Sequence, residues 1–470
     1  MKLLLIYPPT KQGVQSLLLQ TEGEGIGNKP PLGLLYIASF VHKNSDHEVF
    51  VIDMNSSSAG EDEIFQKIRT LSPDVIGISC WTDFWYPIVR VIKLIKEFSP
   101  EVHITLGGPH VGIYSKEILA YDGVDSIILG DGEAPMLSLL NHLSNDEPLM
   151  KVGVYLKNSP PPDELHFYVE KNIDDLPFPE RTLLPLEDYH SVLAKGSTIA
   201  TMITSRGCPH RCVYCKLHFQ KPVSRKAESV VDEMAQIERL GFHELEIYDD
   251  TFTWSLKRVI KICQLIIQRG IKLKWSVRDR VSNISEEVLD LMYQAGCNRI
   301  HLGIETGNER ILKNIKKKIS LEQAKRSVAV AKRRGLKVLT YFMVGLPGET
   351  EKDVMETIDF AINIDSDYAE FNVCIPYPGT EMYHDALSKK IIPLDFWREY
   401  LYHPVPNFKI PYLYEEFLTK EGMTRLSNLA TKKFYFRPKV IVRELLSCSS
   451  FNEFQKKARM GLSLARNVFR

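Results

Sequence analysis

Cys208, Cys212 and Cys215 stand in the stretch TSRGCPHRCVYCKLHF, spaced C-x3-C-x2-C. Thiolates are the ligands of iron-sulfur clusters, and a cluster that only carries electrons ordinarily takes four of them. Three cysteines without an obvious fourth leave one iron open to a small molecule. The same three with His210 or His218 would instead suit a tetrahedral zinc. The other cysteines, Cys80, Cys263, Cys297, Cys374 and Cys448, are scattered and do not read as a disulfide framework, which suits a reducing, cytoplasmic setting.

The elements that must position this loop form a βα series over 197–380. TIATMITSRG predicts a strand running into the cysteines, and ELEIYDDTF predicts the next, ending in Asp249 and Asp250. Paired carboxylates suit an ammonium ligand, or they cap the following helix. IKLKWSVRDRV and NRIHLGIETG supply two further strands, which bring Arg280 and Glu305 to their ends. A guanidinium fork recognises a carboxylate, and Arg278 competes for that role because strand ends slip easily in register. TYFMVGLPGET and FNVCIPYPGT close the series, with Gly345, Pro347 and Gly348 shaping a turn.

Residues 1–145 show a second alternation of apolar runs and amphipathic stretches, which predicts a parallel sheet with helices on both faces. Ligands of such sheets sit outside the carboxyl ends of the strands. Those ends carry Pro8, Pro9 and Thr10, then Ser79, Cys80 and Trp81, then Gly107, Gly108, Pro109 and His110, then Gly130, Asp131, Gly132 and Glu133. Residues 146–196 are rich in proline and acid and read as a linker.

In this order the motifs resemble the cobalamin-dependent radical S-adenosylmethionine (SAM) enzymes, the class B radical SAM methylases among them. The resemblance implies an α/β chain: a Rossmann-like cobalamin-binding domain, a partial TIM-type barrel, and a mainly helical, basic extension over 381–470. It implies a [4Fe-4S] cluster on Cys208, Cys212 and Cys215. SAM would be held by Tyr214 beside the adenine, Asp249 and Asp250 at the amino group, Arg280 at the carboxylate, Glu305 at the ribose, and the turn of Gly345 and Pro347. Cobalamin would lie against Pro9, Thr10, Ser79, Trp81, Gly107, Gly108, His110, Gly130, Gly132 and Glu133. The Asp-x-His-x-x-Gly signature is absent, since His47 directly follows Asp46, so no histidine is expected below the cobalt.

Family chemistry is reductive cleavage of SAM to a 5′-deoxyadenosyl radical, with electrons from a flavodoxin or ferredoxin. Methylation of an unactivated carbon ranks first, and radical cyclisation, rearrangement or oxidation second. A methylthiotransferase would want further N-terminal cysteines, and a cobalamin sensor would not need the cysteine loop. The segment KKFYFRPKVIVREL is similar to one in members acting on hopanoids and porphyrins, which favours a hydrophobic, lipid-like small molecule.

Lys and Arg number 59, as do Asp and Glu, so net charge argues for no nucleic-acid partner. From Arg425 to Arg470, however, eleven Lys and Arg face only Glu444 and Glu453. The final stripe of Phe451, Phe454, Ala458, Leu462, Ala465 and Phe469 predicts a basic amphipathic helix suited to peripheral membrane contact or to packing on its own protein. The aromatics from Phe396 to Tyr414 read as a packed lid or as a pocket lining.

Overall fold

The computed structural model of the chain describes all residues except 16–27, 57–60, 159–163, 192, 194–197, 217–220, 282–283, 447–454, 456–457, 459–460 and 463–470. The described residues form two compact units. Met1–Gln15, Asn28–Ser191 and Phe396–Ile410 make the first, and 192–395 with 411 onward make the second. The expected final amphipathic helix lies almost wholly outside the described residues. No described helix is long and apolar enough to cross a membrane.

The first unit holds a six-stranded sheet of β1 (Lys2–Tyr7), β2 (Glu48–Asp53), β3 (Val75–Ser79), β4 (His103–Gly107), β5 (Ser126–Ile128) and β6 (Val154–Leu156). Its order is β2-β1-β3-β4-β5-β6, parallel except for β6 against β5. Leu3 and Leu5 pack with the helices Leu32–Asn44 and Glu133–Asn145. The alternate residues Leu4, Ile6, Ile76 and Ile78 are buried too, so both faces are covered, as near-continuous apolar strands require.

Two segments expected elsewhere belong to this unit. The linker expected over 146–196 is part of the domain through Ser191: β6 joins the sheet, and Tyr168 pairs with Gly130. The aromatics near Phe396 are buried against Trp85, whose indole donates to the Leu401 carbonyl at 2.9 Å. Tyr400 and Phe408 stack at 4.3 Å. The extension expected over 381–470 is therefore divided between the units.

The second unit holds β7 (Ile199–Met202), a two-stranded ribbon of β8 (Ser205–Arg206) and β9 (Val223–Ser224), then β10 (Glu244–Ile247), β11 (Lys274–Arg280), β12 (Cys297–Glu305), β13 (Lys337–Val344) and β14 (Tyr368–Val373). The main sheet runs β14-β13-β12-β11-β10-β7, all parallel. Helices alternate with these strands, and Leu245, Val277, Ile300, Leu302, Val338 and Phe342 are buried. The other strand positions carry Glu246, Ser276, Arg278, Arg280, Arg299, His301, Glu305 and Tyr341. Period-two alternation puts these on the opposite, inner face, so this sheet is apolar on one side and charged on the other.

Candidate functional site

The cysteine loop begins at Gly207, whose φ of +90° a side chain would strain. The Gly207 amide donates to Asp250 at 3.0 Å. Asp249 has another task. Its carboxylate, 1% exposed, accepts the amides and hydroxyls of Thr204 and Ser205 at 2.5 to 3.0 Å. Four such bonds use the acceptor capacity of a carboxylate, so Asp249 anchors the chain entering the loop, while Asp250 remains exposed. Arg258 grips the same entry through the Thr204 carbonyl at 2.9 Å.

Cys208 and Cys212 are buried and Cys215 is exposed. Although Cys215 reaches solvent, partial desolvation by the protein around its sulfur, with Cys212, Asp250 and Cys208 nearby, pushes its thiol up to about 11. Cys208 Sγ lies 3.5 Å from the Thr251 hydroxyl, and Arg280 Nη1 lies 3.6 Å from Cys212 Sγ. Another guanidinium nitrogen of Arg280 donates to the Lys317 carbonyl, and its buried Nε has no partner among the described residues. Burial together with Arg280, Lys317 and Lys318 holds His210 down to about 4, so its imidazole is neutral at pH 7.

Glu305 sits where β12 slips in register against β13, with φ +75°, a left-handed conformation uncommon for a residue with a Cβ. Lys317 Nζ donates to Glu305 Oε1 at 2.5 Å and to the Tyr214 hydroxyl at 3.3 Å. A Cβ on Gly303 would lie 2.6 Å from that Glu305 oxygen and 3.0 Å from Nζ. Gly303 therefore keeps room for the pair. Burial and the Glu305 charge hold the Tyr214 hydroxyl well above its ordinary value. Gly345, at φ +92°, opens a turn in which its amide and that of Leu346 donate to buried Glu349 at 2.7 and 3.1 Å. The Pro347 carbonyl accepts from Asn314 at 3.2 Å.

In the first unit the sheet order reverses between β1 and β3, the switch point where ligands of such sheets lodge. Half-buried Pro9 and Ser79, exposed Thr10 and 45% exposed Trp81 stand there. The remaining expected positions contact their own chain. A Cβ on Gly108 would meet the Cys80 carbonyl at 2.8 Å, one on Gly130 the Tyr168 carbonyl at 2.0 Å, and one on Gly132 the Ile37 side chain at 2.7 Å. Gly107 abuts Ile128, and buried Glu133 starts a helix, where an acid complements the dipole. His110 is wholly enclosed, bonded to Thr82 at 3.0 Å and packed on Trp85 and Tyr114. His47 lies at the amino edge of the sheet, bonded to Met1 and Asn141.

The Radical SAM superfamily model matches residues 202–361, and the B12 binding domain model matches 27–140. An uncharacterized methyltransferase of Pyrococcus horikoshii is 33% identical over 471 residues, spanning 98% of each chain. The chain belongs to the cobalamin-dependent radical SAM enzymes. An anaerobic magnesium-protoporphyrin IX monomethyl ester cyclase of Rubrivivax gelatinosus is 27% identical across 84% of this chain and 72% of its own. The radical SAM methyltransferase TsrM of Kitasatospora setae, solved with cobalamin and a [4Fe-4S] cluster, shares the fold at TM-score 0.70 and 16% identity, covering 99% of this chain and 98% of its own.

This cobalamin-dependent radical SAM enzyme works with a [4Fe-4S] cluster, SAM and cobalamin, and its residues fit them. Among the described residues no three His, Cys, Asp or Glu side chains converge on a single-ion position, although the three thiols neighbour one another. Three neighbouring thiolates are what a cluster with one open iron takes from the protein, and His218, a candidate zinc ligand in the sequence, lies outside the described residues. An unpartnered buried Arg280 Nε, an exposed Asp250 and the Glu305–Lys317 pair supply donors and acceptors for a zwitterionic nucleoside. Lys317 and Gly303 are additions to the sequence-based site, and no local signal marks them.

Proposed function

We propose that this enzyme methylates an unactivated carbon of a small-molecule substrate. When bound, the cluster and SAM supply a 5′-deoxyadenosyl radical, and cobalamin supplies the methyl group. The protein's part is positioning. Arg280 would pair with the SAM carboxylate through its open Nε, and Asp250 with the ammonium, since Asp249 is spent on the loop. Glu305, oriented by Lys317, would accept the ribose hydroxyls, with the Tyr214 ring and the Gly345–Pro347 turn beside the adenine. Pro9, Thr10, Ser79 and Trp81 would hold cobalamin at the switch point.

One observation carries this assignment: a three-cysteine loop beside a buried, half-satisfied arginine, on a chain that also carries a B12 binding domain and aligns over 98% of its length with a methyltransferase-named protein. The cyclase relative supports ring formation without methyl transfer as the second possibility.

The test is anaerobic reconstitution with iron, sulfide, SAM, hydroxocobalamin and a reductant, flavodoxin or ferredoxin included, followed by mass spectrometry. Deoxyadenosine with S-adenosylhomocysteine and methylcobalamin supports methyl transfer. Deoxyadenosine with cobalamin left unmethylated supports the cyclase chemistry instead, and absence of deoxyadenosine overturns both.

A further inference from the structure

Two residues before Arg280 on β11, and so on the same inner face, stands Arg278. Its guanidinium carbon lies 3.8 Å from the centroid of the Tyr248 ring, face on, and the Tyr248 hydroxyl donates to Glu246 at 3.1 Å. It is half-buried, and among the described residues no carboxylate lies within ion-pair distance of it. Glu370 on β14 acts on it from farther away.

Arg299, on the next strand, is a useful contrast. Its three nitrogens donate to Glu246 at 3.0 Å, the Leu193 carbonyl at 2.7 Å and His301 Nε2 at 2.8 Å. His301 Nδ1 in turn meets the Tyr341 hydroxyl at 2.8 Å. Arg299 is thus fully spent in a floor that fixes Tyr341, whose hydroxyl lies near Arg278.

Resting on the proposed function, whose substrate it narrows, we infer that Arg278 binds an oxyanion of the substrate, a carboxylate or a phosphate, with the Tyr248 ring stacked against the guanidinium. A planar fork stacked on an aromatic face has already lost its rotamer freedom, so little ordering remains when it meets a matching anion. A carboxylate neighbour would have consumed that capacity, as Glu246 does for Arg299. The substrate is then not purely apolar: it presents a charged end to the inner face of the sheet.

The experiment uses the full chain carrying its cluster and SAM, titrated calorimetrically with phenylacetate, phenyl phosphate and benzylamine. We expect at least one of the two anions to bind and the amine not to. Preference for phenylacetate assigns a carboxylate, and preference for phenyl phosphate a phosphate. Arg278→Gln should weaken anion binding by about tenfold or more, and Arg278→Lys should recover part of it, as a charge without a fork would. Glu370→Gln, a change at an exposed position, should tighten binding roughly threefold by removing a like charge and keeps the test available if Arg278→Gln fails to fold.

Equal affinity in wild type and Arg278→Gln, preference for the amine, or no binding by either anion overturns the inference. Wild-type deoxyadenosine formation separates the two claims. If it occurs and neither anion binds, this site alone is wrong; if an anion binds through Arg278 and no deoxyadenosine forms, the proposed function is wrong and the anion site stands.

Discussion

Both units are built on parallel sheets, yet they use their strands in opposite ways. The first sheet is apolar on both faces, and its special residues cluster in the loops after the strands, where Gly108, Gly130 and Gly132 are packed by their own chain and His110 is enclosed. The second sheet is apolar on one face and charged on the other, with Arg278, Arg280, Arg299, His301 and Glu305 rising from the strands themselves. A strand-end glycine or histidine thus has a structural explanation near at hand. A charge placed at every second position of a buried strand does not, because ionised groups leave water at a cost of several kcal/mol unless paired or liganded.

Chemistry confined to the second unit should be removable without disturbing the first. The triple change of Cys208, Cys212 and Cys215 to Ala should abolish iron binding and deoxyadenosine formation, while the full-length variant keeps the cooperative unfolding of the first unit in denaturant melts. Iron retained at full stoichiometry would sink the cluster assignment. The converse experiment is Gly130→Ala. At φ +94°, with its new Cβ 2.0 Å from the Tyr168 carbonyl, the variant must break the bridge that seats the 146–191 segment. A loss of about 3 kcal/mol or more is expected in denaturant melts, with iron content per folded molecule unchanged. A stable Gly130→Ala variant that has lost cobalamin instead would give that glycine back to the ligand.

Two buried groups, one in each unit, also differ in sign toward pH. Burial holds His110 down to about 3 from 6.5, so the unfolded chain binds more protons in that interval, and this group adds stability as pH rises through it. Burial pushes Glu349 up to about 7 from 4.5. Here the folded chain binds more protons, and stability falls as pH rises from 4.5 through 7. Glu349→Gln should therefore be stabilised relative to wild type at pH 8 compared with pH 5, by on the order of 2 kcal/mol. A pH-independent difference would mean that Glu349 is ionised throughout.

The sequence shows the strands of the second unit plainly, because each apolar run ends in a residue that needs a purpose: Asp250, Arg280, Glu305. It shows the division of labour between Asp249 and Asp250 not at all, since both are acids at one strand end and only the positions of Thr204 and Ser205 separate them. Lys317 is equally hidden. In KNIKKKIS it looks like part of a solvated charge run, yet Lys316 pairs on the surface with Glu381 while Lys317 is 5% exposed. The linker misleads for a related reason. Its prolines and acids describe local stiffness and polarity, whereas its place in the first unit comes from β6 on β5 and Tyr168 on Gly130, pairings between segments far apart in the chain.

Gly303→Ala is the finest probe of the contrast, because here a glycine serves charge rather than backbone packing. The atoms its Cβ would meet, Glu305 Oε1 and Lys317 Nζ, are the free ends of side chains that can swing away, so the fold should survive with a change below about 1 kcal/mol. The ion pair should not keep its geometry. If Glu305 holds the ribose hydroxyls only when Lys317 orients it, SAM affinity should fall by about tenfold, one charge-assisted hydrogen bond, with iron content unchanged. Equilibrium dialysis of SAM against the cluster-loaded variant measures this directly. Unchanged affinity would show that the pair serves stability alone, and the inner face of the second sheet would then resemble the first unit's loops more closely than its charges suggest.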